Sequence, residues 1–282
     1  MVQNYEAELK LALKAAFKSG KLLSGFYRDI ISGKGIKRRY KGEKDLVSEA
    51  DTSSEFLIRD VLEKSSIPVM GEEFGGEFSD AFWAVDPLDG TKNFVHGVPV
   101  FAVSISLFVD LSPVVGVVHL PWIGETFVAT KGGGAHYLGR GGVKIPLKIK
   151  DIDIKDAVGA TGFPHRKSEL LKVFMETFEK IFPYIQAMRR LGAAAVDLAY
   201  VGAGRFHLFW QLGISIWDFG AGMLIVREAG GKVTDFLGRD ENQLGEDFYR
   251  KGMILAAPPG VHSKAVEVFS GVDFSPLRIT EK

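Results

Sequence analysis

The chain has 282 residues, 46% of them hydrophobic and 25% charged, which is enough to bury a large core in one big domain or two modest lobes. Lys plus Arg number 35 and Asp plus Glu number 35, so no general basic field exists to hold nucleic acid or an anionic membrane, and any anion must be held locally. Cysteine is absent, which excludes disulfides, thiolate metal sites and a cysteine nucleophile and suits a cytoplasmic location. The opening stretch "MVQNYEAELKLALKAAFKSG" carries acids and no apolar run, so it is not read as a secretory leader. No stretch reaches the ~18 consecutive apolar residues of a membrane span.

In chain order, residues 5–29 read as an amphipathic helix with Leu9, Leu13, Phe17 and Leu23 on or near one face and Asn4 as N-cap. The Gly- and Lys-rich stretch 33–44 reads as a loop or hairpin. A second helix is expected over 52–64 with Phe56, Leu57, Val61 and Leu62 inward. "IPVMGEE" and "FWAVD" follow as short strands, the second ending at Asp86. "VFAVSISLFVD" and "PVVGVVHL" read as an antiparallel pair, and "GETFVATKGGGAHYLGRGG" continues with strands and tight turns. The second half alternates. Strands are expected at "DAVGATGF", "YIQAMRRLG", "RFHLFWQLG", "GKVTDF" and "MILAAP", and helices at 167–182, 193–203, 218–229 and 261–270. Hairpins give way to alternation near 145–152, which suggests an N-terminal α+β lobe over 1–148 and a C-terminal α/β lobe over 149–282.

The segment "VDPLDGTKNF" (85–94) sets two aspartates three apart directly after an apolar strand. Pro87 holds Asp86 extended, and Gly90 frees the backbone beyond Asp89. A strand end with such a turn can aim two carboxylates and a carbonyl at one point. Oxygen ligands of that kind suit Mg²⁺, Mn²⁺ or Ca²⁺ rather than zinc or copper. An Asp-Pro turn with a glycine break explains the decapeptide equally well. The Asp-x-Asp-Gly-Thr pattern of haloacid-dehalogenase phosphatases does not fit, because Pro87 stands where that family has its nucleophile.

The longer string "WAVDPLDGTKNFVHG" (83–97) resembles the first signature of the inositol monophosphatase family. "WDFGAGMLIVREAGG" (217–231) resembles its second, and "GEE" (71–73) and "KGEKDLVSEAD" (41–51) stand where the family has them. The resemblance covers nearly the whole chain, with Gly220 where the family usually has alanine. It implies an α/β (α+β) fold, a layered αβαβα sandwich of the inositol monophosphatase and fructose-1,6-bisphosphatase type, usually dimeric. It also implies Mg²⁺-dependent hydrolysis of a phosphate monoester by in-line attack of a metal-activated water.

By that resemblance Glu72, Asp86, the Leu88 carbonyl, Asp89 and Asp218 hold two or three Mg²⁺, with Mn²⁺ able to substitute. Four carboxylates plus a phosphate dianion sum to about −6, which roughly two or three dications would balance. Asp51 and Thr91, with Glu72, are the implied catalytic residues. Asp89, Gly90, Thr91, Gly192, Ala193, Ala194, Gln211 and Asp218 are implied at the substrate. Gln211 replaces a glutamate of typical inositol monophosphatases, which weakens the case for inositol 1-phosphate alone. The substrate expected first is inositol monophosphate. Fructose 1,6-bisphosphate follows, with 3′-phosphoadenosine nucleotides and histidinol phosphate behind it. A small phosphate ester is the expected partner, with neither nucleic acid nor membrane. Lithium sensitivity and a homodimer follow by the same route. A regulatory binding protein keeping a relic site is the alternative from another class.

Structural readings stand beside several of these roles. Ser48-x-x-Asp51 before an apolar helix is also a capping-box pattern. Asp218 can serve as an N-cap, Lys41 can belong to a solvated loop, and Arg189 and Arg190 read first as surface ion-pair residues. His96 and His165 are read as structural.

Overall fold

The computed structural model describes residues 5–42, 45–165 and 167–274, and within 38–47 the backbone alone. Asn4 and the Lys41 side chain therefore lie outside the described residues. The first half runs α1 (Glu6–Ile31), β1 (Arg38–Gly42), β2 (Asp45–Ser48), α2 (Glu49–Leu62), β3 (Val69–Gly71), β4 (Ala81–Asp89), α3 (Thr91–Val95), β5 (Ala102–Val109), β6 (Ser112–Leu120), β7 (Glu125–Thr130), β8 (Gly134–Leu138) and β9 (Lys144–Pro146). The second half runs β10 (Val158–Thr161), α4 (Leu171–Ile181), β11 (Ala187–Arg189), α5 (Ala194–Gly202), β12 (Leu208–Leu212), α6 (Ile216–Glu228), β13 (Lys232–Thr234), α7 (Glu241–Leu244), α8 (Glu246–Lys251), β14 (Met253–Ala257) and α9 (Pro259–Phe269).

Seven strands pair in the order β3-β4-β5-β6-β7-β8-β9, antiparallel except for β3 beside β4. Five more pair as β11-β10-β12-β14-β13, parallel among β11, β10 and β12 and antiparallel beyond. Helices α1 and α2 cover the outer face of the large sheet, α5 and α6 fill the space between the sheets, and α4 and α9 form the last layer. This is the expected αβαβα order, and a hydrophobic cluster seals each junction. The central helices are apolar nearly all round, as a helix covered on both sides must be.

Packing revises two helical faces. In α1 the buried residues are Ala12, Ala15, Ala16, Ser19, Gly20, Leu23 and Tyr27, while Phe17 is 47% exposed. Small residues occupy the centre because α1 lies close on β6: a Cβ on Gly20 would stand 2.6 Å from the His119 ring. In α2, Phe56 is 71% exposed and Ser54, Glu55 and Ile58 are buried, since that face meets β4 and the turn after β3. Periodicity marks an apolar side but cannot say which part of it the neighbouring element touches. The glycine run after β7 is turn geometry, with Gly132 at φ +75° and Gly134 at φ +79°. The N–H groups of both donate to the Glu228 carboxylate at 2.9 Å, which ties this hairpin to α6.

Gly220, the departure from the family pattern, also has a packing reason. A Cβ there would stand 2.7 Å from Ser106 Oγ and 2.8 Å from the buried Phe108 ring. We expect Gly220→Ala to destabilise the protein in urea unfolding. Overpacking of a tight core costs about 1–3 kcal/mol, which the ~1 kcal/mol helix-propensity gain of alanine offsets only in part.

Candidate active site

In an unbroken strand, residues 86 and 89 would face opposite sides of the sheet. In β4 they do not, because the register shifts: Asp86 stands opposite Ser104 while Asp89 stands opposite Ala102, so the extra residue resets the alternation. The Leu88 N–H folds back to Asp86 Oδ1 at 2.9 Å, and Ser54 Oγ donates to the Pro87 carbonyl at 2.9 Å. Both aspartates thus face one cleft, together with Leu88, Gly90 and Thr91. Gly90 adopts φ +90°, and a Cβ there would meet the Val100 carbonyl at 2.9 Å, so the turn into α3 needs glycine.

Glu72 sits in the turn after β3, and Asp218 in the first turn of α6. One carboxylate oxygen from each of Glu72, Asp86 and Asp218 lies within 4.8 Å of the other two. Asp89 faces the same cleft but is engaged across the layer boundary: its Oδ1 accepts the Ala194 N–H at 3.1 Å and its Oδ2 the Ala195 N–H at 2.8 Å. It thereby caps α5, whose own N-cap residue, Ala193, offers no side-chain acceptor. A carboxylate has about four lone-pair sites, so a cap of this kind leaves capacity for a cation.

Capping and the site share carboxylates elsewhere. Asp51 occupies the third position of α2 in a capping box, with Oδ2 accepting from Ser48 N at 2.7 Å and Ser48 Oγ at 2.6 Å. Its Oδ1 accepts the Thr91 hydroxyl at 2.8 Å, 40 residues along the chain. Asp218, for which an N-cap role was the structural alternative to metal ligation, is the third residue of α6; Ser215 is the N-cap and donates its N–H to Asp218 Oδ2 at 2.7 Å. The helix starts at Ile216, earlier than periodicity suggested, because Ser215 has the extended backbone and capping chemistry of a start signal.

The electrostatics are those of an anionic hole. Burial first, then the Glu72, Asp89 and Asp218 carboxylates, push Asp86 well above the usual carboxylate range. Burial and then Asp218 push Asp89 up to about 8, against the pull of the Ala195 N–H. Burial also raises Asp51, with the Ser48 and Thr91 hydrogen bonds opposing it. Glu72, Asp86, Asp89 and Asp218 lining one cleft fit divalent cations held by oxygen alone, and no thiolate exists to suggest a softer metal.

A pH dependence follows. Asp89 ionises near its ordinary 3.8 when unfolded and near about 8 when folded, so the folded state holds the extra proton between those values and stability falls as pH rises. The buried His119 and His262, pushed down to about 4 from 6.5, act with the opposite sign below pH 6.5. In chelator, thermal melts should therefore show stability falling clearly from about pH 6.5 to about pH 8, and excess Mg²⁺ should flatten that slope.

The opposite wall of the cleft carries Gly192, Ala193, Ala194 and Gln211, the expected substrate segment. Gly192 adopts φ +84° beside Arg190 and Asn93, and Asn93 donates to the carbonyls of Val100 and Leu191 at 2.8 Å, joining the metal loop to this wall. Gly162 leaves the space in which the Gln211 amide lies. Several lining residues were not legible in the sequence. Arg190, read as a surface residue, lines the cleft with Lys92 and Lys167, while Arg189 turns away to the Met188 carbonyl. Its strand, β11, is only three residues long, so Arg190 falls in the loop that reaches the site. Asp197 is buried at the cleft with one oxygen lacking a hydrogen-bond partner. Burial and the Asp89 charge hold it well above the usual range, with Arg190 opposing. Its signal was available: an acid in an otherwise apolar run, "AAAVDLAYV". His165 reaches the cleft and His96 does not.

The family model described as the inositol monophosphatase family matches residues 4–271. The chain belongs to this family. An inositol-1-monophosphatase of Mesorhizobium japonicum is 39% identical over 256 residues, covering 89% of this chain and 91% of that protein. A fructose-1,6-bisphosphatase/inositol-1-monophosphatase of Aquifex aeolicus is 37% identical, covering 83% and 87%. The crystal structure of the extragenic suppressor protein suhB from Bartonella henselae superposes with a TM-score of 0.83 at 35% identity, covering 94% of this chain and 99% of that one. As a member of the inositol monophosphatase family the protein is a phosphatase, a hydrolase acting on a phosphate ester, and its acid cluster is one that could bind metal. Among the described residues, no helix is long and apolar enough to cross a membrane.

Proposed function

We propose that the protein hydrolyses phosphate monoesters of small polyols or sugars with Mg²⁺, releasing inositol from inositol monophosphate as its leading reaction. The observation that carries this reading is the meeting of Glu72, Asp86 and Asp218, from three distant segments, at one point of the cleft. These three, with Asp89 and the Leu88 carbonyl, would hold two or three Mg²⁺, and Mn²⁺ can substitute. When bound, the cations neutralise the carboxylates and draw charge from the phosphoryl oxygens, usually the largest catalytic contribution.

The chain's own groups do the rest. Thr91 donates its hydroxyl proton to Asp51, so its lone pairs are turned to accept from a water. That water's proton passes through the Thr91 hydroxyl to Asp51, whose raised pKa makes it a better base than a surface aspartate. The Gly90 and Thr91 N–H groups, at the start of α3, suit a phosphate oxygen. Gly192 and Ala193 are free of the Asp89 cap that engages the Ala194 N–H, and with Gln211 they face the substrate hydroxyls. In this reading residues 1–148 supply the metal loop and residues 149–282 the substrate wall.

A second substrate has its own support. Lys92, Lys167 and Arg190 line the cleft and Gln211 is neutral, a wall suited to a second phosphate, as in fructose 1,6-bisphosphate. The name of the Aquifex relative carries both activities. The test is phosphate release from both esters, with Mg²⁺ and with chelator, on wild type and on Arg190→Ala. Metal-dependent release from inositol monophosphate supports the first reading. A rise in KM confined to the bisphosphate in the variant supports the second. No release across a broad ester panel, with binding to a macromolecule instead, would favour a regulatory protein. A cytoplasmic homodimer inhibited by lithium completes the proposal; sizing chromatography and a LiCl titration of turnover test its last two parts.

A further inference from the structure

Helix α2 buries three polar side chains, Asp51, Ser54 and Glu55, at the i, i+3 and i+4 spacing that puts them on one face. Each reaches a different part of the site. Asp51 takes the Thr91 hydroxyl, and Ser54, itself bonded to Ser19 Oγ at 2.6 Å, donates to the Pro87 carbonyl. Glu55 is wholly buried and reaches the turn after β3: its Oε2 accepts the Glu73 N–H at 2.7 Å and its Oε1 the Phe74 N–H at 3.3 Å. Arg59, one helical turn on, donates from Nε to Glu55 Oε1 at 2.8 Å and from Nη2 to the Gly75 carbonyl at 2.7 Å. Gly71 and Gly75 exchange two backbone hydrogen bonds of 3.0 Å, so the turn is closed on itself above this pair. Gly71 leaves the space, since a Cβ there would stand 1.9 Å from Glu55 Oε1. Glu72 lies inside the turn, its N–H tied to the Val85 carbonyl at 3.2 Å.

We propose that Glu55 is a positioning residue for the acid cluster: it fixes the 71–75 turn so that the Glu72 carboxylate stands beside those of Asp86 and Asp218, and thereby raises affinity for the divalent cation. The inference deepens the metal-dependent reading above and rests on it. As simple glue a desolvated ion pair gains little over apolar packing. As a template it offers two acceptors in fixed geometry to two successive N–H groups, which no apolar side chain can do. Partners that orient metal ligands act in this way, and their loss lowers metal affinity roughly 10- to 100-fold.

The test is a Mn²⁺ titration of the full chain, followed by calorimetry and by the spin-resonance signal of free Mn²⁺. In Glu55→Gln one acceptor oxygen becomes an NH₂ group facing a donor, so the turn loses its template at unchanged volume. Affinity should fall roughly 10- to 100-fold. Arg59→Lys, which cannot bridge Glu55 and Gly75 with one planar fork, should weaken binding in the same direction and less. Glu241→Gln is the control: it breaks another buried clamp, with Arg227 at 2.5 and 2.7 Å, outside the cleft, and should lower the melting temperature without moving Mn²⁺ affinity. Wild-type affinity in both α2 variants overturns the proposal, as does equal weakening by the control. If Glu55→Gln does not fold, Arg59→Lys decides alone. Absence of Mn²⁺ binding by the wild type would sink the metal reading itself, and the inference with it.

Discussion

Asp86→Asn is expected to lower phosphate release by about 10²-fold or more at saturating Mg²⁺, the size of effect seen when one preorganised electrostatic group is removed. The substitution is well suited to the question because the local network tolerates it. Asparagine Oδ1 can still accept the Leu88 N–H, and the side-chain volume is unchanged. What disappears is an acid whose ionised form is disfavoured first by burial and then by Glu72, Asp89 and Asp218. In chelator the variant should therefore melt at or above the wild-type temperature, while the rise that Mg²⁺ brings to the wild type should shrink. An active site that repels itself until cations arrive is a place where function costs stability. Turnover within a few-fold of wild type would remove Asp86 from the metal set. Asp89→Asn is a less clean probe, since its amide would also face a donor at Ala194 or Ala195 and disturb α5.

Asp51→Asn is expected to reduce kcat by about 10²- to 10⁴-fold, the range for loss of a positioned general base. This variant separates two roles that one carboxylate combines. The amide oxygen can keep the Ser48 N–H, so the capping box survives, while the group that would accept the proton through Thr91 is gone. Ser48→Ala makes the complementary change. It removes the N-cap hydroxyl and should cost about 1 kcal/mol in stability, with a far smaller effect on kcat than Asp51→Asn. If both variants lost activity in proportion to stability, Asp51 would be a cap and nothing more. The pH profile supplies a second readout, because the acidic limb of kcat should follow Asp51 and vanish in Asp51→Asn.

Most elements were legible in the sequence, and the reasons are local. Apolar runs rich in β-branched residues, "VFAVSISLFVD" and "PVVGVVHL", make β5 and β6 plain, and the helices of the second half stand within a few residues of their expected bounds. Short α3, α7 and α8 leave no such signal, since four to six residues carry too little periodicity to register. Hydrophobicity alone argues for Phe17 and Phe56 facing inward, yet the packed centres belong to alanines, a glycine, serines and a buried glutamate. That choice depends on how closely two elements approach, which no single segment encodes.

The site divides along the same line. The string 85–91 by itself determined which residue types are available: oxygen donors, a proline that sets the strand end and a glycine that the turn requires. Only tertiary structure decided that Asp86 and Asp89 face one cleft, through an extra residue in β4, and that Glu72 and Asp218 join Asp86 there. It alone decided that Asp89 caps a helix more than 100 residues away, that Arg190 reaches the cleft, and that Glu55 lies beneath the Glu72 turn. The physical reason is range. Backbone preferences and turn chemistry act over a few residues and can be read along the chain. What raises Asp86 is burial first and then the carboxylates gathered around it, and both exist only once the layers have closed.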